Sequence, residues 1–185
     1  MFGDKFLVAP KIAQPSAEHI IYHTSVDVSV YLPVGTNWYY FWSGQPVPGE
    51  ETPVTVPAAD TEEAVFIREG SIIPLLNFEM GRMSLLEAID DPINLLVYPH
   101  VVDQDATGDL YLDEGENNSY LQKERTEVRF DWNGASLSVT KTLTDDNMYA
   151  KASGKYINKV QIFGMDTSPV SVRNSFVSDQ PNQDD

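Results

Sequence analysis

The sequence predicts an all-β chain built from two β-sandwich modules in tandem. Three observations carry that expectation. Segments rich in β-branched and aromatic residues dominate, turn residues punctuate them at intervals of about ten, and no long amphipathic helix pattern appears.

In the first block FLVAP (6–10), VDVSVYLP (26–33), NWYYFW (37–42), TPVTVPA (52–58) and AVFIREGSIIPLL (64–76) read as strands separated by Gly, Pro or Asn. Val26, Val28, Val30 and Leu32 alternate with Asp27, Ser29 and Tyr31, the pattern of a strand with one buried face. VPGEET (47–52) is a turn. Gly70, within REGSIIP, has no phosphate-cradle context and reads as a bulge or turn. MSLLEAIDD (83–91) fits either a short helical turn or a loop. Strands resume with INLLVYPHV (93–101), DLYLDE (109–114), EVRFDWNGASLSVTKTL (127–143), KYINKVQIFGM (155–165) and PVSVRNSFV (169–177). Asn133-Gly134, between two alternating runs, is a strong hairpin signal. The modules are expected over residues 1–78 and 79–177, with SDQPNQDD (178–185) a disordered acidic tail.

The 185 residues suffice to bury a core, and 12 basic against 28 acidic residues give a formal charge of −16. Nucleic acid and anionic membrane surfaces are therefore excluded as natural partners, because phosphate binding needs clustered Lys and Arg. The absence of cysteine rules out disulfides, thiolate metal sites and a cysteine nucleophile. No apolar run approaches the roughly 18 residues of a membrane span. Gly3, Asp4, Lys5 and Pro10 interrupt the N-terminal apolar stretch, so no signal peptide is expected.

Trp38, Tyr39, Tyr40, Phe41 and Trp42 are consecutive. As one strand they would place Trp38, Tyr40 and Trp42 on one face and Tyr39 and Phe41 on the other. Three exposed aromatics at about 150–250 Å² each would exceed the apolar patch of about 300–600 Å² found on ordinary monomers. The strand is thus expected to meet a contact surface, the alternative being ordinary packing with one face in the sandwich core and the other under neighbouring structure.

FGDKFLVAPK, VSVYLPVGTNWYYFWSG and AVFIREGSIIPL, followed by LLVYP (95–99) and GDLYLDEGE (108–116), resemble the C-terminal part of glycoside hydrolase family 31, the α-glucosidase family. The resemblance covers about residues 2–140, in family order, and departs from it at Tyr40, where the family often has Asp, and at TEEAV (61–65). It implies a proximal and a distal C-terminal β-sandwich of a retaining enzyme. The two catalytic aspartates of that enzyme would lie on an upstream (β/α)8 barrel outside this chain. A non-catalytic C-terminal piece, as a natural fragment or a truncated gene product, is the expectation. It would be inactive alone, would need no cofactor, and would have the barrel as partner and cover for the aromatic strand. The compartment stays open, a secretory or lysosomal parent included. Two other readings remain: a carbohydrate-binding sandwich stacking α-glucan or maltooligosaccharide on Trp38, Tyr40 and Trp42, and a structural or calcium-stabilised interaction module.

No catalytic, cofactor-binding or metal-ligating residue is assigned. Asp103, Asp105, Gly108 and Glu114 fit a twelve-residue calcium loop, with Thr107 a weak fifth position. However, the flanking alternation is that of a strand, which would keep the ligands from converging. Asp90-Asp91, Asp113-Glu114 and Asp145-Asp146 are adjacent carboxylates expected in solvated turns. His19 and His23 would lie about 13 Å apart on a strand, too far to share a zinc ion. His100 is expected at or near the surface. Asn117-Asn118-Ser119 is a glycosylation sequon that matters only in a secretory parent.

Overall fold

The computed structural model describes residues 1, 3–11, 25–59, 61–76, 91–113, 118–122, 125–142 and 156–165. The segment 83–91 up to Asp90, the strand expected at 169–177 and the tail at 178–185 lie outside them, as do His19, His23, Glu114, Asn117, Asp145 and Asp146.

The architecture is all-β in three sheets. Strands β1 (Phe6–Ala9), β6 (Ala64–Arg68), β3 (Asn37–Tyr40) and β4 (Pro46–Pro48) form a four-stranded antiparallel sheet in that order. β4 is short, proline-flanked and at the edge, where a missing N–H donor costs no ladder bond. β2 (Val26–Val30) and β5 (Val54–Ala58) form a two-stranded antiparallel sheet. The remaining strands are β7 (Ser71–Leu76), β8 (Ile93–Tyr98), β9 (Asp105–Leu112), β10 (Thr126–Asn133), β11 (Leu137–Lys141) and β12 (Ile157–Ile162). They make a six-stranded sheet in the order β11-β10-β9-β7-β8-β12. Its contacts are antiparallel except that β12 runs parallel to β8 and β7 parallel to β9.

Alternation along the strands sorts the apolar residues into three cores. Leu7, Val28, Val30, Trp38, Tyr40, Val56 and Phe66 pack between the two- and four-stranded sheets. Tyr39, Ile67, Ile73 and Tyr98, with Phe6 and Leu96 against them, pack between the four- and six-stranded sheets. Ile72, Ile93, Leu95, Val97, Phe130 and Trp132 line the other face of the six-stranded sheet. The four-stranded sheet is therefore a middle layer, apolar on both faces.

Three sequence expectations change in detail. NWYYFW ends as a strand at Tyr40, because the chain turns through residues 41–43 and closes with Gly44 N–H donating to Tyr40 O at 2.7 Å. AVFIREGSIIPLL is two strands, since the chain turns at Glu69-Gly70, with Gly70 at a φ of 73°. Sheet membership changes at that turn, so β7, within the expected 1–78 module, hydrogen-bonds to strands of the second block. The hairpin at Asn133-Gly134 forms, with Asn133 Oδ1 accepting from the N–H groups of Ala135 and Ser136.

Candidate functional site

The aromatic strand sits at the centre of the molecule. Trp38 and Tyr39 are each 1% exposed and Tyr40 is 9% exposed, whereas Trp42, beyond the strand end, is 46% exposed. The expected aromatic face of Trp38, Tyr40 and Trp42 is therefore not present. The chain's own sheets cover the first two, and the turn takes Trp42 out of register with them. A three-ring sugar-stacking platform and a partner needed to cover this strand are both overturned by that burial. Ordinary packing on two faces accounts for Trp38, Tyr39 and Tyr40, with Phe41 packed against the second core.

The two tyrosines also tie the layers together. Tyr40 Oη donates to the Pro57 carbonyl at 2.8 Å, linking the four-stranded sheet to β5. Tyr39 Oη donates to the Pro99 carbonyl at 2.9 Å, linking it to the end of β8. Burial raises the pKa of both hydroxyls, with a smaller contribution from the charge of Glu69 at Tyr39 and of Glu62 at Tyr40. Tyr39 meets Tyr98 at a ring-centroid distance of 5.3 Å, and Tyr98 stacks on Phe163 at 4.5 Å. These contacts suit offset and tilted ring geometries.

Glu69, which the sequence did not single out, is the polar counterpart of this seam. Its carboxylate accepts from Asn37 N–H at 2.7 Å, Asn37 Nδ2 at 2.9 Å, Val101 N–H at 3.0 Å and Thr36 Oγ1 at 3.2 Å. Burial alone would raise its pKa, but the bonds from Val101, Asn37 and Thr36 prevail and lower it. The β6–β7 turn thus holds the start of β3 and the β8–β9 turn together. A charged residue beside a turn glycine between two apolar runs was the available signal, too common to be informative alone.

The remaining candidates disperse. Residues 105–112 are strand β9, so Asp105 and Asp109 lie along an extended chain rather than around a calcium loop. Gly108 serves a different need: a Cβ there would stand 2.3 Å from the Ile72 carbonyl oxygen, where β9 passes β7. Asp105 Oδ1 lies 2.6 Å from His100 Nδ1, and Asp109 Oδ1 lies 3.6 Å from Arg129 Nη1. Among the described residues no three His, Asp or Glu side chains form a metal-holding group. Asp91 is 3% exposed, a correction to the expected solvated turn. His100 is half-exposed, its ring over Gly70, where any Cβ would collide with it. No helix among the described residues is long and apolar enough to cross a membrane.

Known proteins resemble much of this chain. The family described as Glycosyl hydrolase family 31 C-terminal domain matches residues 1–73. The alpha-glucosidase of Schizosaccharomyces pombe is 31% identical over 180 residues, covering 93% of this chain and 16% of that protein. The crystal structure of a glucosidase II alpha subunit shares the fold with a TM-score of 0.70 at 21% identity, over 89% of this chain and 17% of that one. The GH31 alpha-xylosidase of Xanthomonas citri gives a TM-score of 0.54 at 29% identity, over 75% and 14% respectively. The chain corresponds to a small part of each of these proteins.

Proposed function

We propose, from the premise that residues 1–73 carry the C-terminal domain of glycosyl hydrolase family 31, that this chain is the non-catalytic C-terminal portion of an α-glucosidase-like enzyme. It braces a (β/α)8 barrel, which supplies both catalytic aspartates. The parent hydrolyses terminal α-glucosidic bonds by the two-step retaining route, with carboxyl groups about 5–5.5 Å apart.

One observation carries this reading: the segments that resemble the family are used for packing. LVAP contributes Leu7 to one core, and NWYYFW contributes Trp38 and Tyr40 to that core and Tyr39 to the next. REGSIIP contributes the Glu69 bonds together with Ile72 and Ile73. The division into a proximal module over 1–78 and a distal one over 79–177 belongs to this proposal. The crossing of β7 supports the two moving as one body. A contact with α-glucan or maltooligosaccharide, within this reading, falls to the exposed Trp42 and not to buried Trp38 or Tyr40.

The purified chain is expected to release no sugar from maltose or an aryl α-glucoside. Supplied in trans, it is expected to restore soluble, active enzyme to a family 31 protein from which the matching region has been deleted. Hydrolysis by the chain alone, abolished by a carboxylate substitution within it, would overturn the proposal.

A further inference from the structure

We infer that one end of the molecule, marked by Val34, Val101 and Val102, is the surface on which the barrel seats; this rests on the reading above. Val34 is 52%, Val101 41% and Val102 84% exposed. They lie in two turns, at residues 34–36 and 101–103, which the Glu69 carboxylate holds side by side through Thr36, Asn37 and Val101. Solvated turns favour Gly, Asn, Asp, Ser and Pro. β-Branched apolar residues at the apex of a turn are better explained by a surface that receives them.

The apex is also fixed in shape. Gln104 N–H donates to the His100 carbonyl at 3.0 Å, and Gln104 Nε2 donates to the Val101 carbonyl at 3.0 Å. Gln104 holds a φ of 58°, the one described non-glycine residue in the left-handed region. Such a conformation persists where its surroundings dictate it. A turn whose backbone is already ordered loses little entropy on binding, which favours it as a docking element.

Chain direction identifies the occupant. β1 starts at this end, where Arg68 N–H donates to the Lys5 carbonyl at 2.9 Å and Lys5 Nζ donates to the Thr107 carbonyl at 3.1 Å. The matched family region is C-terminal, so the body of a family 31 protein joins it through the residues ahead of Phe6. The start of β1 thus brings that body to the end of the sheet where Val34, Val101 and Val102 are exposed. Trp42 and Glu63, joined by a 2.7 Å bond, mark the opposite end of β3 and β6.

The test titrates the full chain into the S. pombe alpha-glucosidase shortened by its matching region, followed by calorimetry and sedimentation velocity. Val102→Asp and Val34→Asp are expected to weaken binding tenfold or more at an unchanged melting temperature, because both side chains are exposed. Trp42→Ala is expected to bind as the unsubstituted chain does. If the unsubstituted chain binds and neither valine substitution weakens it, the docking inference fails and the bracing role stands. If the chain instead self-associates through Val102, the inference fails as well. An unsubstituted chain that does not bind overturns the bracing role and the inference together.

Discussion

The Tyr39 hydroxyl donates to the Pro99 carbonyl across the boundary between two sheets, at 2.9 Å and out of contact with solvent. Tyr40, its neighbour, reaches the Pro57 carbonyl on the opposite side at 2.8 Å. Adjacent residues of a strand point to opposite faces, so a Tyr-Tyr pair can fasten a middle layer to both outer ones.

Tyr39→Phe leaves the Pro99 carbonyl buried without its donor. The expected loss is about 1–3 kcal/mol, read as a lower urea midpoint at an unchanged slope. Tyr40→Phe should cost less, because the Tyr40 bond is only partly buried.

Glu69 has a lowered pKa in the folded chain. Near the ordinary glutamate pKa of about 4.3, the unfolded chain therefore binds more protons than the folded one, and stability rises with pH there. The contribution is complete above the unfolded value and disappears as pH falls through the folded one. Glu69→Gln is expected to flatten this acid limb of the melting-temperature profile. It should also cost about 1–2 kcal/mol at neutral pH, as charged hydrogen-bond acceptors do.

Gly108→Ala places a methyl group against the Ile72 backbone. Overpacking of this kind costs about 1–3 kcal/mol. The drop in melting temperature should be equal with calcium and with chelator, since the glycine serves the approach of two strands. A deficit seen only with calcium would restore the metal-loop reading.

Trp42 is 46% exposed, against 1% for Trp38 and 9% for Trp132. Acrylamide should quench mainly Trp42, and Trp42→Ala should remove most of the quenchable emission. Substantial quenching remaining in that variant would mean that the core around Trp38 or the one around Trp132 opens in solution.

Much of the fold was legible because period-two patterning depends on local residue order. Val26, Val28 and Val30 announce β2, and Asn133-Gly134 announces the β10–β11 hairpin. What the patterning cannot show is which sheet a strand joins. AVFIREGSIIPLL reads as one strand with a bulge or turn at Gly70, yet that turn sends its two halves to different sheets. The same limit produced the error over the aromatics. Five rings in a row imply cover on both faces, but local order does not say that β2 and β5 lie over one face and β7 and β8 over the other. Glu69 was illegible because its partners, Asn37 and Val101, are each 32 residues away in sequence.

β12 docks on β8 in parallel, pairing Val160 with Leu95 and Gln161 with Leu96. On the ribosome, β8 leaves the exit tunnel long before its neighbour has been translated. Through that interval one side of β8 is an unpaired template, the kind of edge that recruits strands from other nascent chains. A stop codon anywhere ahead of Ile157 would leave that template permanently bare.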